Sequence, residues 1–266
     1  MNSEQTPPQE NSETETDLKK DANKPGSLRG QVWLTIQTRQ AQQFIRGRKG
    51  TEDKPAIIGL TGFADRLRVI WLAARNDDPY ADWWLIKIHE AIDSSSAYVR
   101  DWQTELDSQL DQVTGLEVTI AGSQKPCRVP LQFANPYAYQ AARLLSEYDT
   151  LVRTVLTARH IGLQNNEASE GLLRLCGRKI RSTFVIPQNY KFLQIDRATL
   201  SQGGEKSINA SKVMGEVPED ILSGERHAPL VPRKVQFPTG FARNVVLQPG
   251  ASESNTHQLE DKNTDT

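Results

Sequence analysis

Hydrophobic positions crowd into the middle of this chain and follow two periods. Val32, Leu34 and Ile36 alternate with Trp33, Thr35 and Gln37, the two-residue period of a half-buried strand. Ala41, Phe44 and Ile45 then take helical spacing that ends at Gly47, and "RKGTEDKP" is a polar linker closed by Pro55. Phe63, Leu67, Ile70, Trp71 and Ala74 mark one face of a helix over 60–75. "NDDP" stops that helix and starts the next, with Asp78 as N-cap and Pro79 at the first helical position. From Trp84 through Ile88, Ile92, Ser95, Val99, Trp102, Leu106 and Leu110 to Val113, every step is three or four residues. That predicts one helix of about 34 residues, about 50 Å long.

After Gly115, "LEVTI" and "CRVPLQF" read as two short strands joined by "AGSQKP", with Pro130 confining the second to an edge or a bulge. A second long helix starts from Asn135 as N-cap and Pro136, with Ala141, Leu144, Leu145, Tyr148, Leu151, Val152, Val155 and Leu156 on its apolar face. A third is capped by Asn165 or Asn166 and ended by Pro187. Its Leu172, Leu175, Cys176, Ile180 and Phe184 face inward, and Arg174, Arg178 and Arg181 face out. From about residue 200 order weakens: "GGEKS" reads as a loop, "VPEDILSG" as one or two helical turns, and "HAPLVPRKVQFP" as extended chain. No internal repeat is legible. The expected fold is mainly α with a few short β-strands, a long-helix bundle forming a single domain over 27–248.

Composition sharpens the ends more than the middle. Residues 1–26 and 249–266 hold no aromatic residue and abundant Glu, Asp, Ser, Thr and Asn, so both read as disordered acidic tails. Each carries a net charge of −3, which leaves the body with 28 basic against 23 acidic residues within an overall charge of −1. A mildly basic body fits a nucleic-acid partner. The first twenty residues lack the apolar stretch of a secretory signal, and the run from Val69 to Ala74 is too short to span a bilayer. With only Cys127 and Cys176, no disulfide framework is expected, and a cytoplasmic protein with reduced thiols is.

Enzyme signatures fail. There is no G-x-G-x-x-G or G-x-S-x-G, and "GGEKS" lacks both glycines that a phosphate loop needs at their positions. His89, His160, His227 and His257 are scattered, no Cys or His pair has metal-ligand spacing, and capping accounts for Asp77 and Asp78. No catalytic residue, metal, cofactor or small-molecule substrate is expected. Basic positions say more. Arg174, Arg178 and Arg181 occupy i, i+4 and i+7, one helical stripe of guanidinium forks suited to phosphate oxygens, or else a solvated face paired with Glu167 and Glu170. Arg39, Arg46, Arg48 and Lys49 form a second cluster. Strand 32–37, helix 38–47 and helix 60–75 loosely mimic a ribbon-helix-helix unit, in which paired strands enter the major groove and outward side chains read bases. Trp33, Thr35 and Gln37 would then face DNA, although core packing is the stronger expectation for Trp33; Arg128, Pro130 and Gln132 make an equally defensible reading strand. The near-heptad stripe of the long helix leaves Trp84, Ile88, Val99 and Trp102 to be covered, by a second copy in a homodimer or by the other long helix.

Four blocks carry a resemblance: "LTIQTRQAQQFIRGRK", "GLTGFADRLRVIWLAARNDDPYADWWL", "PLQFANPYAYQAARLLSEYDTLVRTVLTARH" and "VMGEVPEDILSG". Over roughly residues 28–235 the chain resembles the integrating conjugative element proteins related to the AcaB-type transcriptional regulators of conjugative plasmids. The resemblance implies a protein of a mobile element, expressed in the bacterial cytoplasm. For the AcaB branch it implies a DNA-binding activator of ribbon-helix-helix character, and it supplies no catalytic residues. The function expected is a non-enzymatic DNA-binding accessory or transcriptional regulator of the element. The alternative is an interaction protein of its maintenance or transfer machinery.

Overall fold

The computed structural model describes residues 30–53 and 55–233; both expected tails lie outside them. Strand β1 (Val32–Ile36) and helix α1 (Arg39–Arg46) form where the two periods place them, with Leu34, Ile36, Ala41, Phe44 and Ile45 buried. Gly47 ends α1 with a φ of 72°. The stretch read as a polar linker then folds into a small hairpin, β2 (Gly47–Arg48) against β3 (Ile57–Ile58). Glycine is required where the two backbones cross. A Cβ on Gly47 would run into the Ile57 carbonyl oxygen, and one on Gly59 into the Gly47 nitrogen.

Helices α2 (Leu60–Arg75) and α3 (Pro79–Asp111) follow. Asp78 caps α3 as its position predicts, its Oδ1 accepting from Tyr80 N at 2.9 Å and Ala81 N at 3.2 Å. The 33-residue α3 lays its apolar stripe mainly on helix α4 (Pro136–His160), with α2 and helix α5 (Asn166–Val185) beside it. The seam expected to face either a second copy or the other long helix is covered within the chain: Trp84, Ile88 and Val99 are buried in the chain's own core, and Trp102 is half-buried against it. An apolar seam of this length must be covered, and α4 covers it from within. Ser95, the one polar step in the stripe, shares a 2.8 Å hydrogen bond with Thr183 of α5, so both buried hydroxyls are matched. On α5 the inward residue is Leu173 (6% exposed), whereas Leu175, expected inside, is 47% exposed.

Only one of the two strands expected after Gly115 forms. "LEVTI" has no regular structure; residues beyond it are tied to α4, where Arg153 Nε donates to the Ala121 carbonyl at 2.7 Å and Ala121 N to Thr157 Oγ1 at 3.0 Å. The other strand, β4 (Cys127–Leu131), pairs antiparallel with β1. Apart from the β2–β3 hairpin between α1 and α2, the order is therefore strand–helix–helix twice, β1–α1–α2 and β4–α4–α5, with α3 between. The two strands pair with each other, α1 packs on α4, and α2 meets α5 through Phe63 and Phe184, whose rings lie 5.2 Å apart. This topological repeat escapes sequence comparison because α1 has 8 residues and α4 has 25.

After α5 a 3₁₀ turn (Ile186–Asn189) leads to short helices α6 (Arg197–Ser201), α7 (Glu205–Met214) and α8 (Glu219–Ser223). "GGEKS", read as a loop, starts α7 at Glu205, and "VPEDILSG" holds α8 as expected. Arg197 ties this region to the start of α3. Its Nη2 lies 2.6 Å from Asp82 Oδ2, its Nε donates to Asp77 Oδ1, and its Nη1 donates to the Ile221 and Leu222 carbonyls. Tyr190 donates to Asp78 Oδ2 at 2.6 Å beside it. Among the described residues no helix is long and apolar enough to cross a membrane.

Candidate nucleic-acid interface

The β1–β4 ribbon divides its side chains by parity. Its register pairs Val32 with Leu131, Trp33 with Pro130, Leu34 with Val129, Thr35 with Arg128, and Ile36 with Cys127. Leu34, Ile36 and Leu131 are buried, while Trp33, Thr35, Arg128 and Pro130 are exposed on the opposite face. Pro130 is tolerated because each strand of a two-stranded ribbon is an edge. The expectation that Trp33 packs in a core is overturned: its ring is 45% exposed, and the Arg128 guanidinium carbon lies 5.1 Å from its centroid. Arg128 has no ion pair to a carboxylate among the described residues.

A two-stranded ribbon is marginal alone and needs a helix behind it. Asp149 of α4, 4% exposed, supplies the anchor. Its Oδ2 accepts from Gln37 N at 2.8 Å; its Oδ1 accepts from Thr38 N at 2.8 Å and from Thr38 Oγ1 at 2.6 Å. Thr38 Oγ1 in turn accepts from Ala41 N at 3.2 Å, capping α1. One carboxylate thus fixes the corner between ribbon and helix. Sequence reasoning passed over Asp149, although an acid at i+4 from Leu145 and i−3 from Val152, in the middle of an apolar face, was a visible anomaly.

Of the residues expected to read bases, Thr35 stands on the exposed face. Gln37 does not: it is half-buried, past the end of β1, and its Oε1 accepts from Ser123 N at 3.0 Å. Arg39 and Arg46 are exposed on α1 and are not among the residues that line the groove between α1 and α5. Arg48, Arg174 and Arg181 do share a feature. A groove between α1 and α5 has two lobes of about 440 and 420 Å³ that meet at Gln43, Phe44 and Arg181. Gln40, Arg159 and Arg174 line one lobe, Arg48 and Ile57 the other. Gly177 keeps the floor open, since a Cβ there would stand 3.2 Å from Phe44 Cζ. Arg178 projects to solvent outside the groove. The pairing with Glu167 and Glu170 does not form: among the described residues none of Arg48, Arg159, Arg174, Arg178 or Arg181 has an ion pair to a carboxylate. Arg159 was not anticipated; it closes α4 in a run, "TARH", that reads only as a helix terminus.

The titratable groups elsewhere are structural. Burial pushes the Cys176 thiol up to about 11, which leaves it an inert core residue, as its place on the apolar face predicts. His89 lies half-buried with Nε2 3.3 Å from Asp93 Oδ2. Among the described residues no group of three or more His, Cys, Asp and Glu could hold a metal ion.

Comparison with known proteins gives two results in agreement. The family model for the transcriptional regulator AcaB matches residues 24–234. The crystal structure of selenomethionine-containing AcaB from uropathogenic E. coli is similar, with a TM-score of 0.51 and 15% identity, over 74% of this chain and 95% of that one. At that identity the likeness is one of fold. No curated protein matches.

Proposed function

Because the chain belongs to the AcaB family of transcriptional regulators, we propose that it binds duplex DNA through the outer face of the β1–β4 ribbon and regulates transcription. The block resemblance given above supports a conjugative element in the bacterial cytoplasm as the setting. One observation carries the reading: Trp33, Thr35 and Arg128 form an exposed surface on a ribbon whose inner face is buried at Leu34, Ile36 and Leu131 and whose corner is clamped by Asp149. Strands of this width fit the major groove, where an arginine fork meets guanine O6 and N7. Arg48, Arg174, Arg178 and Arg181, with no carboxylate partner among the described residues, are suited to phosphates. The groove that Arg48, Arg174 and Arg181 share begins at Gln40, four residues past the end of β1.

Binding of the full chain to promoter DNA of the element, followed by anisotropy across a salt series, tests this. Affinity should fall steeply as salt rises, and Arg174→Ala should weaken every duplex alike and flatten the salt slope by about one. Absence of binding at low salt would overturn the proposal in favour of the interaction-protein reading.

A further inference from the structure

The reading ribbon is made by one chain, and its two strands are chemically unlike. An antiparallel pair has a local two-fold axis, which here passes through the central pair Leu34–Val129. That axis exchanges Trp33 with Arg128 and Thr35 with Pro130. Where two identical chains supply the strands, the exchanged residues are the same, so the site they read is an inverted repeat. Neither exchange here conserves chemistry. The polar readers, Thr35 and Arg128, stand directly opposite each other at one end of the ribbon. Trp33 and Pro130, which offer apolar surface and, in proline, no backbone donor, stand opposite each other at the other end. The helices that follow the strands differ too, with 8 residues after β1 and 25 after β4, so flanking phosphates meet unequal surfaces.

We infer that this protein reads a site without two-fold symmetry, one chain per site, with guanine at one end and a thymine methyl at the other. The inference rests on the DNA-binding reading above. Arg128 and Thr35 supply hydrogen bonds to base edges, and a guanidinium fork is satisfied best by guanine. Trp33 and Pro130 supply only apolar contact, for which the major groove offers the thymine C5 methyl. The two ends are two residues apart along each strand, about 6.7 Å, which is about two base-pair steps. The stacking of Arg128 on Trp33 fixes the guanidinium between the two ends and limits how far it can swing.

Selection of bound duplexes from a randomised pool by the full chain tests this, together with mass measurement of the complex on the selected site. A directional motif and one chain per duplex are expected. An inverted-repeat motif, or a complex that forms only with two chains, overturns the inference while leaving DNA binding standing. No enrichment and no binding at low salt overturns both. Arg128→Lys retains charge without the fork and should lower the preference for guanine at one position by about 5- to 150-fold while the salt slope is kept. Pro130→Ala, which trims the apolar surface at the opposite end and leaves the Trp33–Arg128 contact in place, should relax preference only at that end. Loss of discrimination at both ends from either variant, with the melting temperature unchanged, argues against divided reading and overturns it.

Discussion

Asp78 shows what one buried carboxyl costs and returns. It is 3% exposed, caps α3 and accepts from Tyr190. Burial, only partly offset by these hydrogen bonds, raises its pKa from 3.8 to about 6. Between those values the native chain holds a proton that the unfolded chain has released, so this group's contribution to stability is complete below pH 3.8 and is lost as pH rises through 6. The shift amounts to about 3 kcal/mol at neutral pH. Asp78→Asn keeps the capping oxygen and carries no charge, so its melting temperature should match the parent near pH 4 and exceed it above pH 6. Parallel melting curves across that range would refute the assignment. Asp78, Asn135 and Asn165 were all legible as caps, because a cap is a local rule written in adjacent residues. Trp33 was misread because tryptophan is usually placed by burial, and neighbours on its own strand cannot show that its ring lies open beside an arginine from β4.

Among the elements, the helices from α1 to α5 were legible to within a residue or two because each writes its apolar stripe into its own sequence, whereas the short α6 and α7 were not foreseen. Strand partners are not written that way. β1 was foreseen without its partner, β4 was foreseen with the wrong one, and the β2–β3 hairpin, only two residues on a side, was not foreseen at all. The anchor between elements was equally hidden, since Asp149 acts 112 positions from Gln37. Asp149→Ala should leave the Gln37 and Thr38 amides without their acceptor and destabilise the fold by about 3 kcal/mol, as for hydrogen bonds to a charged group. Thermal melts would check this. In the same variant, amide exchange should quicken in β1 and α1 before it does in α3. Uniform exchange across the chain would show that the corner is not held by this carboxylate.

At the scale of the molecule, the apolar seam of α3 belongs to the chain's own core and not to a partner copy. Ile88→Ala should therefore lower stability by about 2–5 kcal/mol, the usual range for emptying a buried aliphatic site. The melting temperatures of parent and variant should not move with protein concentration, which checks whether that seam is intramolecular. A rise of the parent's melting temperature with concentration would return the seam to a dimer interface. Arg197 joins the described residues beyond α5 to this core through Asp77 and Asp82. Arg197→Ala removes the guanidinium that lies nearest the buried Asp82 carboxylate and should cost about 3–5 kcal/mol, with early proteolysis after α5 as the second sign.

The order of synthesis follows from where β4 lies. During translation β1 emerges early, yet the strand that completes its ribbon and the carboxylate that clamps its corner come only after the whole of α3 has been made. Contacts between such distant positions close late, because a long loop must be ordered before they repay it. A nascent chain stalled or cleaved before residue 127 would carry Leu34 and Ile36 on an unpaired strand edge, the kind of surface that seeds aggregation. The surface proposed to read DNA is thus assembled only once α3 and most of α4 have been made, so a product truncated before residue 127 offers no ribbon with which to compete for the site.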